Sequence, residues 1–283
     1  MTNEPSLTCE ALLIRAVGLI GGDSPRLDAE LLLSHTTGLT RTQFRTWPER
    51  TVQPGVAEAF LELVAKRAEG VPVAYLLGHQ DFWSLPLAVN ATTLIPRPDT
   101  ECLVEIALGL PLPDNARVLD LGTGTGAIAL ALASERPGWA ITACDRIPEA
   151  VELARQNSKT LGLPITVIES RWFEQIPAGT FDLLVSNPPY IPAADRHLGE
   201  GDVRYEPESA LVAGDDGLDD IRYLIKEGRN RIALGGWMAL EHGYDQGDKV
   251  RALFEQAGWH NSETRQDYGG NDRVTFAQAP ETA

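Results

Sequence analysis

Apolar positions recur at helical spacing as far as residue 70, after which the period shortens and then alternates. Leu12, Leu13, Ala16, Val17 and Ile20 share one helix face, and Gly21, Gly22 and Asp23 end that run. A second helix is expected after Pro25, through Leu27, Leu31, Leu32 and His35 to Gly38. A third runs through Val56, Phe60, Leu63, Val64 and Arg67 to Gly70. Between 71 and 95 the pattern changes. Segments 75–79, 82–83 and 85–89 predict short strands around Gly78 and Pro86, a hairpin in which Pro86 confines its strand to an edge. Asp99 or Thr100 stands where it can cap a helix that continues through Cys102, Leu103, Val104, Ile106 and Leu108.

From Arg117 onward strand and helix patterns alternate. Strands are expected at 117–120, 140–145, 165–169, 181–186 and 237–242, with a late one at 273–276. Helices are expected at 127–136, 149–161, 218–234 and 246–257. This alternation predicts an α/β fold with a doubly wound parallel sheet, whose ligands bind at the carboxyl ends of the strands. The organisation read from the pattern is a helical unit at 1–70, a hairpin linker at 71–95 and an α/β domain at 96–283.

Composition changes this picture little. The chain has 283 residues, 43% of them hydrophobic and 23% charged, enough to bury a core without crosslinks. Cys9, Cys102 and Cys144 are far apart, and the five histidines are scattered, so neither a disulfide framework nor a metal site is expected. Met1 to Pro5 lack the basic and apolar regions of a signal peptide, and the expectation is a cytoplasmic monomer without a membrane span. The net charge of −16 argues against nucleic acid as the principal partner, because phosphate binding relies on a basic surface.

Candidate chemistry begins at Asp120-Leu121-Gly122-Thr123-Gly124-Thr125-Gly126-Ala127, between a strand and a helix. Glycines there allow a tight turn and close approach of the backbone to a ligand. Asp145 ends the next strand, where a carboxylate can accept from both hydroxyls of a ribose. Together they indicate a cofactor containing adenosine. The spacing Gly122-x-Gly124-x-x-Ala127 also satisfies a dinucleotide fingerprint, so a dehydrogenase stays open at this point. S-adenosylmethionine is favoured because Asp120 suits an ammonium better than a pyrophosphate. Trp172 is placed either to cover an adenine or simply to pack.

The second element of chemistry is Ser186-Asn187-Pro188-Pro189-Tyr190 at the end of the fourth strand. Pro188 and Pro189 fix φ and withhold backbone donors, so this turn presents carbonyls. The Asn187 side-chain carbonyl and the Pro188 backbone carbonyl can accept from the two N–H groups of a planar nitrogen. That nitrogen gains partial positive charge as it attacks a methyl group, which strengthens both hydrogen bonds. Tyr190 offers a flat face to the planar group. The expected step is in-line displacement. Nitrogen bonds to the methyl carbon, the carbon–sulfur pair leaves with sulfur, and the alkylated nitrogen then sheds a proton without a strong base.

The chain resembles the HemK-type release-factor glutamine methyltransferases. The matching segments are 95–101 (IPRPDTE), 120–127 (DLGTGTGA), 186–191 (SNPPYI), 205–213 (YEPESALVA), 240–243 (LEHG) and 267–274 (DYGGNDRV). The resemblance implies an α/β class I methyltransferase sheet, Rossmann-like, doubly wound, mostly parallel and seven-stranded, with a small all-helical N-terminal domain. It implies methylation, by S-adenosylmethionine, of the glutamine side-chain amide in the Gly-Gly-Gln loop of peptide chain release factors. By the same resemblance Gly122, Thr123, Gly124, Thr125 and Gly126 line the cofactor, Asp145 holds its ribose and Trp172 flanks its adenine. Asn187 binds the amide at the reacting centre, with Pro188, Pro189 and Tyr190 completing the pocket, and the helical domain helps to grip the release factor. Arg97 and Glu101 shape the channel for the loop or serve only the linker. One departure concerns the acid that such proteins commonly carry just before Trp172, because Arg171 stands there.

Two rival functions remain at this stage. A nucleic-acid amine methyltransferase acting on adenine N6 or guanine N2 shares Asn-Pro-Pro-Tyr, but it calls for a basic surface and a target-recognition domain. A non-catalytic cofactor-binding protein of the translation machinery would have no need of an intact Asn187.

Overall fold

The computed structural model describes residues 7–199 and 201–281. The chain divides into a helical unit, formed by residues up to 79 with 201–205, and an α/β unit formed by the remainder.

The helical unit consists of α1 (Cys9–Ile20), α2 (Pro25–Thr37), α3 (Arg41–Thr46), α4 (Pro54–Ala68) and α5 (Val73–Leu77). Local chemistry sets its boundaries. The Thr8 hydroxyl accepts from the Ala11 N–H at the start of α1, and Pro25 and Pro54 occupy first-turn positions that need no donor. Gly38 and Gly78 end α2 and α5 in the left-handed conformation. Leu13, Leu32, Leu33, Phe44 and Phe60 interlock in the interior. Segment 201–205 is fastened to this unit by Arg67, which donates to Asp28 at 2.7 Å and to Asp202 at 2.6 Å.

The α/β unit opens with the hairpin β1 (His79–Phe82) and β2 (Leu85–Ala88), followed by α6 (Glu101–Gly109). Strand and helix then alternate as β3 (Arg117–Leu121), α7 (Ala127–Glu135), β4 (Ala140–Asp145), α8 (Pro148–Leu161), β5 (Thr166–Glu169) and β6 (Phe181–Ser186). The last elements are α9 (Asp219–Gly228), β7 (Ile232–Glu241), α10 (Gly247–Gln256), β8 (His260–Gln266) and β9 (Asp272–Gln278). The strands form one seven-stranded sheet in the order β5-β4-β3-β6-β7-β9-β8. Pairings from β5 to β7 are parallel, and β9 runs antiparallel to β7 and β8. One core packs α6 and α7 on the sheet, including Leu103, Leu130 and Val118. The other packs α9 and α10, including Leu224, Phe254 and Leu184. Burying each such side chain contributes roughly 1.5–3 kcal/mol.

The doubly wound sheet, the helical unit and the hairpin agree with the sequence reading. Several local readings are corrected. Residues 75–77 are helical in α5, and the hairpin begins only at His79. The helix expected to reach 234 stops at Gly228, because the Arg231 carbonyl already accepts from the Phe181 N–H at 2.9 Å and draws the chain into the sheet. Neither Asp99 nor Thr100 caps α6 with its side chain. Asp99 sits in a preceding 3-10 turn, and the Thr100 hydroxyl is engaged by Asn187 instead. Helix α3 and strand β8 carry too few apolar residues to have been expected. Only Phe44 of α3 is buried, and β8 is a largely exposed edge with the sequence HNSETRQ.

Candidate active site

Strand order makes the site. β3 lies between β4 and β6, with Asp120 in register with Val185, so the chain leaves β3 toward one face and β6 toward the other. The glycine loop after β3 and the Asn-Pro-Pro-Tyr turn after β6 are therefore neighbours. Such a reversal in a doubly wound sheet leaves a crevice at the strand ends. An open cavity occupies it, lined from the loop by Gly122, Thr123, Gly124 and Thr125 and from the turn by Asn187 and Pro189.

The loop is built around backbone that lacks side chains. Gly122, Gly124 and Gly126 have φ of 74°, 54° and 86°, a region that costs other residues roughly 1–2 kcal/mol. The Gly122 and Thr123 N–H groups both donate to the Cys144 carbonyl at 2.9 Å, which pins the loop to the end of β4. A Cβ on Gly122 would stand 3.1 Å from the Trp172 ring, and one on Gly126 would stand 3.1 Å from Leu130. Gly122 thus makes room for an aromatic wall, whereas Gly126 makes room for the packing of α7 and lies outside the cavity lining.

Asp145 is committed before any ligand arrives. Its Oδ2 accepts from the Gly124 N–H at 2.9 Å and its Oδ1 from the Ile147 N–H at 3.0 Å. Each carboxylate oxygen retains a second lone-pair direction, and the residue lines the cavity. Trp172 also lines it, held at a φ of 50° by its carbonyl, which accepts from the Ser170 hydroxyl at 2.9 Å and from the Cys144 thiol at 3.4 Å. Asp220, at the start of α9, lies beside Trp172, and burial pushes its carboxyl upward while the indole favours its charged form. It places a carboxyl group beside Trp172, where the preceding residue of the chain is Arg171. Sequence offered no signal for it, since its neighbours in the chain suggest only a helix start.

Asp120 differs from its expected role. It is fully buried beneath the loop and outside the cavity lining, with Oδ2 accepting from the Thr123 hydroxyl at 2.6 Å. Burial raises its carboxyl to about 7, and Oδ1 has no hydrogen-bond partner.

The turn is fixed at both ends. Asn187 lines the cavity and its Nδ2 donates to the Thr100 hydroxyl at 3.2 Å, which leaves the side-chain carbonyl as the group it offers. Pro188 is buried and, like Tyr190, outside the cavity lining. The Tyr190 hydroxyl donates to Glu241 at 3.1 Å, and its carbonyl accepts from the Gln246 amide at 3.1 Å. A Cβ on Gly217 would meet that carbonyl at 2.1 Å. Arg97 also lines the cavity and is held by Glu206, which accepts from its guanidinium at 2.6 Å and from the Ile95 N–H at 2.9 Å. Glu101 is elsewhere, outside the lining, accepting from the Trp83 N–H at 2.9 Å. Asn157 bonds to both Ala88 and Thr125, tying the hairpin to the glycine loop.

The donor set suits a small organic cofactor. A side-chain-free cradle, a carboxylate at the adjoining strand end and an aromatic wall match the loop, ribose and adenine contacts of an adenosyl group. Among the described residues no group of three or more His, Cys, Asp or Glu side chains is arranged to hold a metal ion.

Comparison with known proteins places the chain. A family model described as PrmC N-terminal domain matches residues 14–78, and one described as methyltransferase small domain matches residues 100–199. A crystal structure of a methyltransferase from Pyrococcus furiosus has a similar fold, with a TM-score of 0.53 at 18% identity, covering 69% of this chain and 89% of that one. A release factor glutamine methyltransferase of Pseudomonas aeruginosa is 54% identical over 273 residues, 96% of this chain and 99% of that protein. One of Escherichia coli is 50% identical over 261 residues, 92% of this chain and 94% of that protein. With half of its residues shared over nearly the full length of such relatives, and both units matched by family models, the chain belongs to the release factor glutamine methyltransferase family.

Proposed function

We propose that the chain transfers the methyl group of S-adenosylmethionine to the side-chain amide nitrogen of the glutamine in the Gly-Gly-Gln loop of peptide chain release factors. The observation that carries this reading is that the glycine loop and Asn187 line one cavity. Bound there, the cofactor supplies an electrophilic methyl group on a sulfonium leaving group. Gly122 to Thr125 give it close backbone approach, Asp145 accepts from its ribose hydroxyls, and Trp172 and Asp220 flank its adenine. Asn187 turns its carbonyl to one N–H of the substrate amide and the Pro188 carbonyl accepts from the other. Pro189 completes the wall and Arg97 shapes the approach, while Tyr190 anchors the end of the turn from behind. Orientation and these two acceptors lower the barrier. The helical N-terminal unit helps to grip the release factor, and the protein works as a cytoplasmic monomer without nucleic acid.

The test offers labelled S-adenosylmethionine and the purified chain to a release factor, to its Gln→Ala variant and to DNA. Label in the release factor alone, lost in its variant, is the expected result. Label in DNA but not in the release factor overturns the reading in favour of a nucleic-acid amine methyltransferase.

A further inference from the structure

Gln246 stands just before α10, 4% exposed, and both ends of its side-chain amide are engaged. Its Oε1 accepts from the Gly243 N–H at 2.8 Å. Its Nε2 donates to the Tyr190 carbonyl at 3.1 Å and to the Asp216 carbonyl at 3.3 Å. All three partners are backbone groups with one role each. An N–H only donates and a carbonyl only accepts, so the amide is held one way round.

The two carbonyls belong to different segments. Tyr190 ends the Asn-Pro-Pro-Tyr turn, while Asp216 lies in the loop ahead of α9. That loop is itself fixed, since the Asp216 carboxylate accepts from the Leu218 N–H at 3.2 Å and from Arg222 at 3.0 Å. The same two segments also pair through their backbones. The Ile191 N–H donates to the Leu211 carbonyl at 2.8 Å, and the Ala213 N–H donates to the Ile191 carbonyl at 3.1 Å. Gly217 passes so close that a Cβ there would lie 2.1 Å from the Tyr190 oxygen and 2.9 Å from the Gln246 Nε2. Ser209, Ala210 and Val212 of this stretch line the cavity, as Asn187 and Pro189 do. Pro188 and Pro189 have no N–H, so neither can donate a bond that fastens the turn from within. We propose that Gln246 is a positioning residue, which joins Tyr190 to the Asp216 loop and so fixes where the turn carries the Asn187 and Pro188 carbonyls. Gln246 lies outside the cavity lining and acts through the turn. This inference rests on the proposed methyl transfer to an amide held at that turn.

The test compares Gln246→Glu and Gln246→Met in the full chain at about pH 8.5, well above the ordinary carboxyl range. The glutamate keeps an acceptor for Gly243 but sets an oxygen against both carbonyls. The methionine is of similar length and makes neither link. In both variants kcat with a release factor falls by about ten- to a hundredfold, the scale of a displacement of about 1 Å at the reacting groups. The dissociation constant for S-adenosylmethionine stays within about twofold of wild type, because the glycine loop, Asp145 and Trp172 keep their own contacts. A denaturant melt establishes that each variant is folded under the assay conditions, and the uncharged Gln246→Met carries the test should Gln246→Glu not fold.

Amide hydrogen exchange separates the two ends of the clamp without turnover. Gly243 stays as protected as in wild type in Gln246→Glu and loses protection in Gln246→Met, while Ile191 and Ala213 exchange at least about tenfold faster in both. A glutamine that merely props the loop before α10 would slow catalysis only where Gly243 opens, in Gln246→Met. Wild-type kcat in either variant, or a loss of cofactor affinity as large as the loss of kcat, overturns the proposal. Should wild type label no release factor while the exchange rates behave as stated, the anchoring of the turn by Gln246 stands and the substrate reading falls.

Discussion

The Trp172 ring lies over Gly122, its Cζ3 atom 3.1 Å from the point where a Cβ on residue 122 would stand. Gly122→Ala therefore meets two obstacles, a φ of 74° and an aromatic wall. The variant should lose roughly 1–2 kcal/mol of stability from backbone strain. Affinity for S-adenosylmethionine should fall by at least about tenfold, equivalent to about 1.4 kcal/mol, as the ring is pushed from its place. Calorimetric titration and a urea melt check both effects, and unchanged affinity would remove Trp172 from the cofactor wall.

Asp145 organises the loop as well as facing the ligand. Asp145→Asn keeps one acceptor oxygen but sets an NH₂ against the N–H of Gly124 or Ile147. The loss of a charged acceptor is worth about 1.5–3 kcal/mol, so cofactor affinity should drop by about ten- to a hundredfold. Hydrogen exchange at the Gly124 amide should accelerate in the same variant, without added cofactor. Loss of affinity with unchanged exchange would confine Asp145 to ligand binding.

Glu206 joins the backbone of Ile95 to the side chain of Arg97. Its side chain is fully buried, while Arg97 keeps 35% of its surface exposed. Glu206→Ala leaves the arginine hydrated, so the main loss is the buried Ile95 N–H, about 1–3 kcal/mol. A denaturant melt measures this loss. The KM for a release factor should rise while cofactor affinity is retained.

Asp120 gives a pH signature. Burial, the largest cause, lifts its carboxyl from 3.8 to about 7. Between those values the native state holds a proton that the unfolded chain has released, so this group's contribution to stability declines as pH rises through the window. Glu241, lifted by burial from 4.5 to about 7, acts with the same sign. Asp120→Asn keeps an acceptor for Thr123 and removes the titration. Its stability, followed by urea midpoints across that pH range, should fall less steeply with pH than that of wild type.

Most of the site was legible because it depends on the chain's local habits. A strand running into Gly122-x-Gly124, an acid ending the next strand and an asparagine before two prolines are each contiguous signals, and the order of a doubly wound sheet brings them together. Thr100, Glu206, Asp220 and Glu241 were not legible, because each acts across the fold on a distant partner and looks locally like a cap, a loop acid or a strand end. Asp120 misled for a related reason. Its place before the glycines suggested contact with the ligand, and its burial at the strand end could not be read from spacing. In the helical unit, α5 was read as a strand because its apolar residues are few enough to fit either period, and Gly78 decided the matter by ending a helix.

The turn after β6 is held by Thr100 at its first residue and by Glu241 and Gln246 at its last, with Gly217 packed where no side chain fits. A turn so anchored works as a depth gauge. Under the proposed reading, the acceptor amide must arrive at a distance set by the protein, since the jaw does not close to meet it. Asparagine, one methylene shorter than glutamine, stops short of that mark however well its amide would bond there. Choice of residue then follows from reach, before any difference in reactivity is felt.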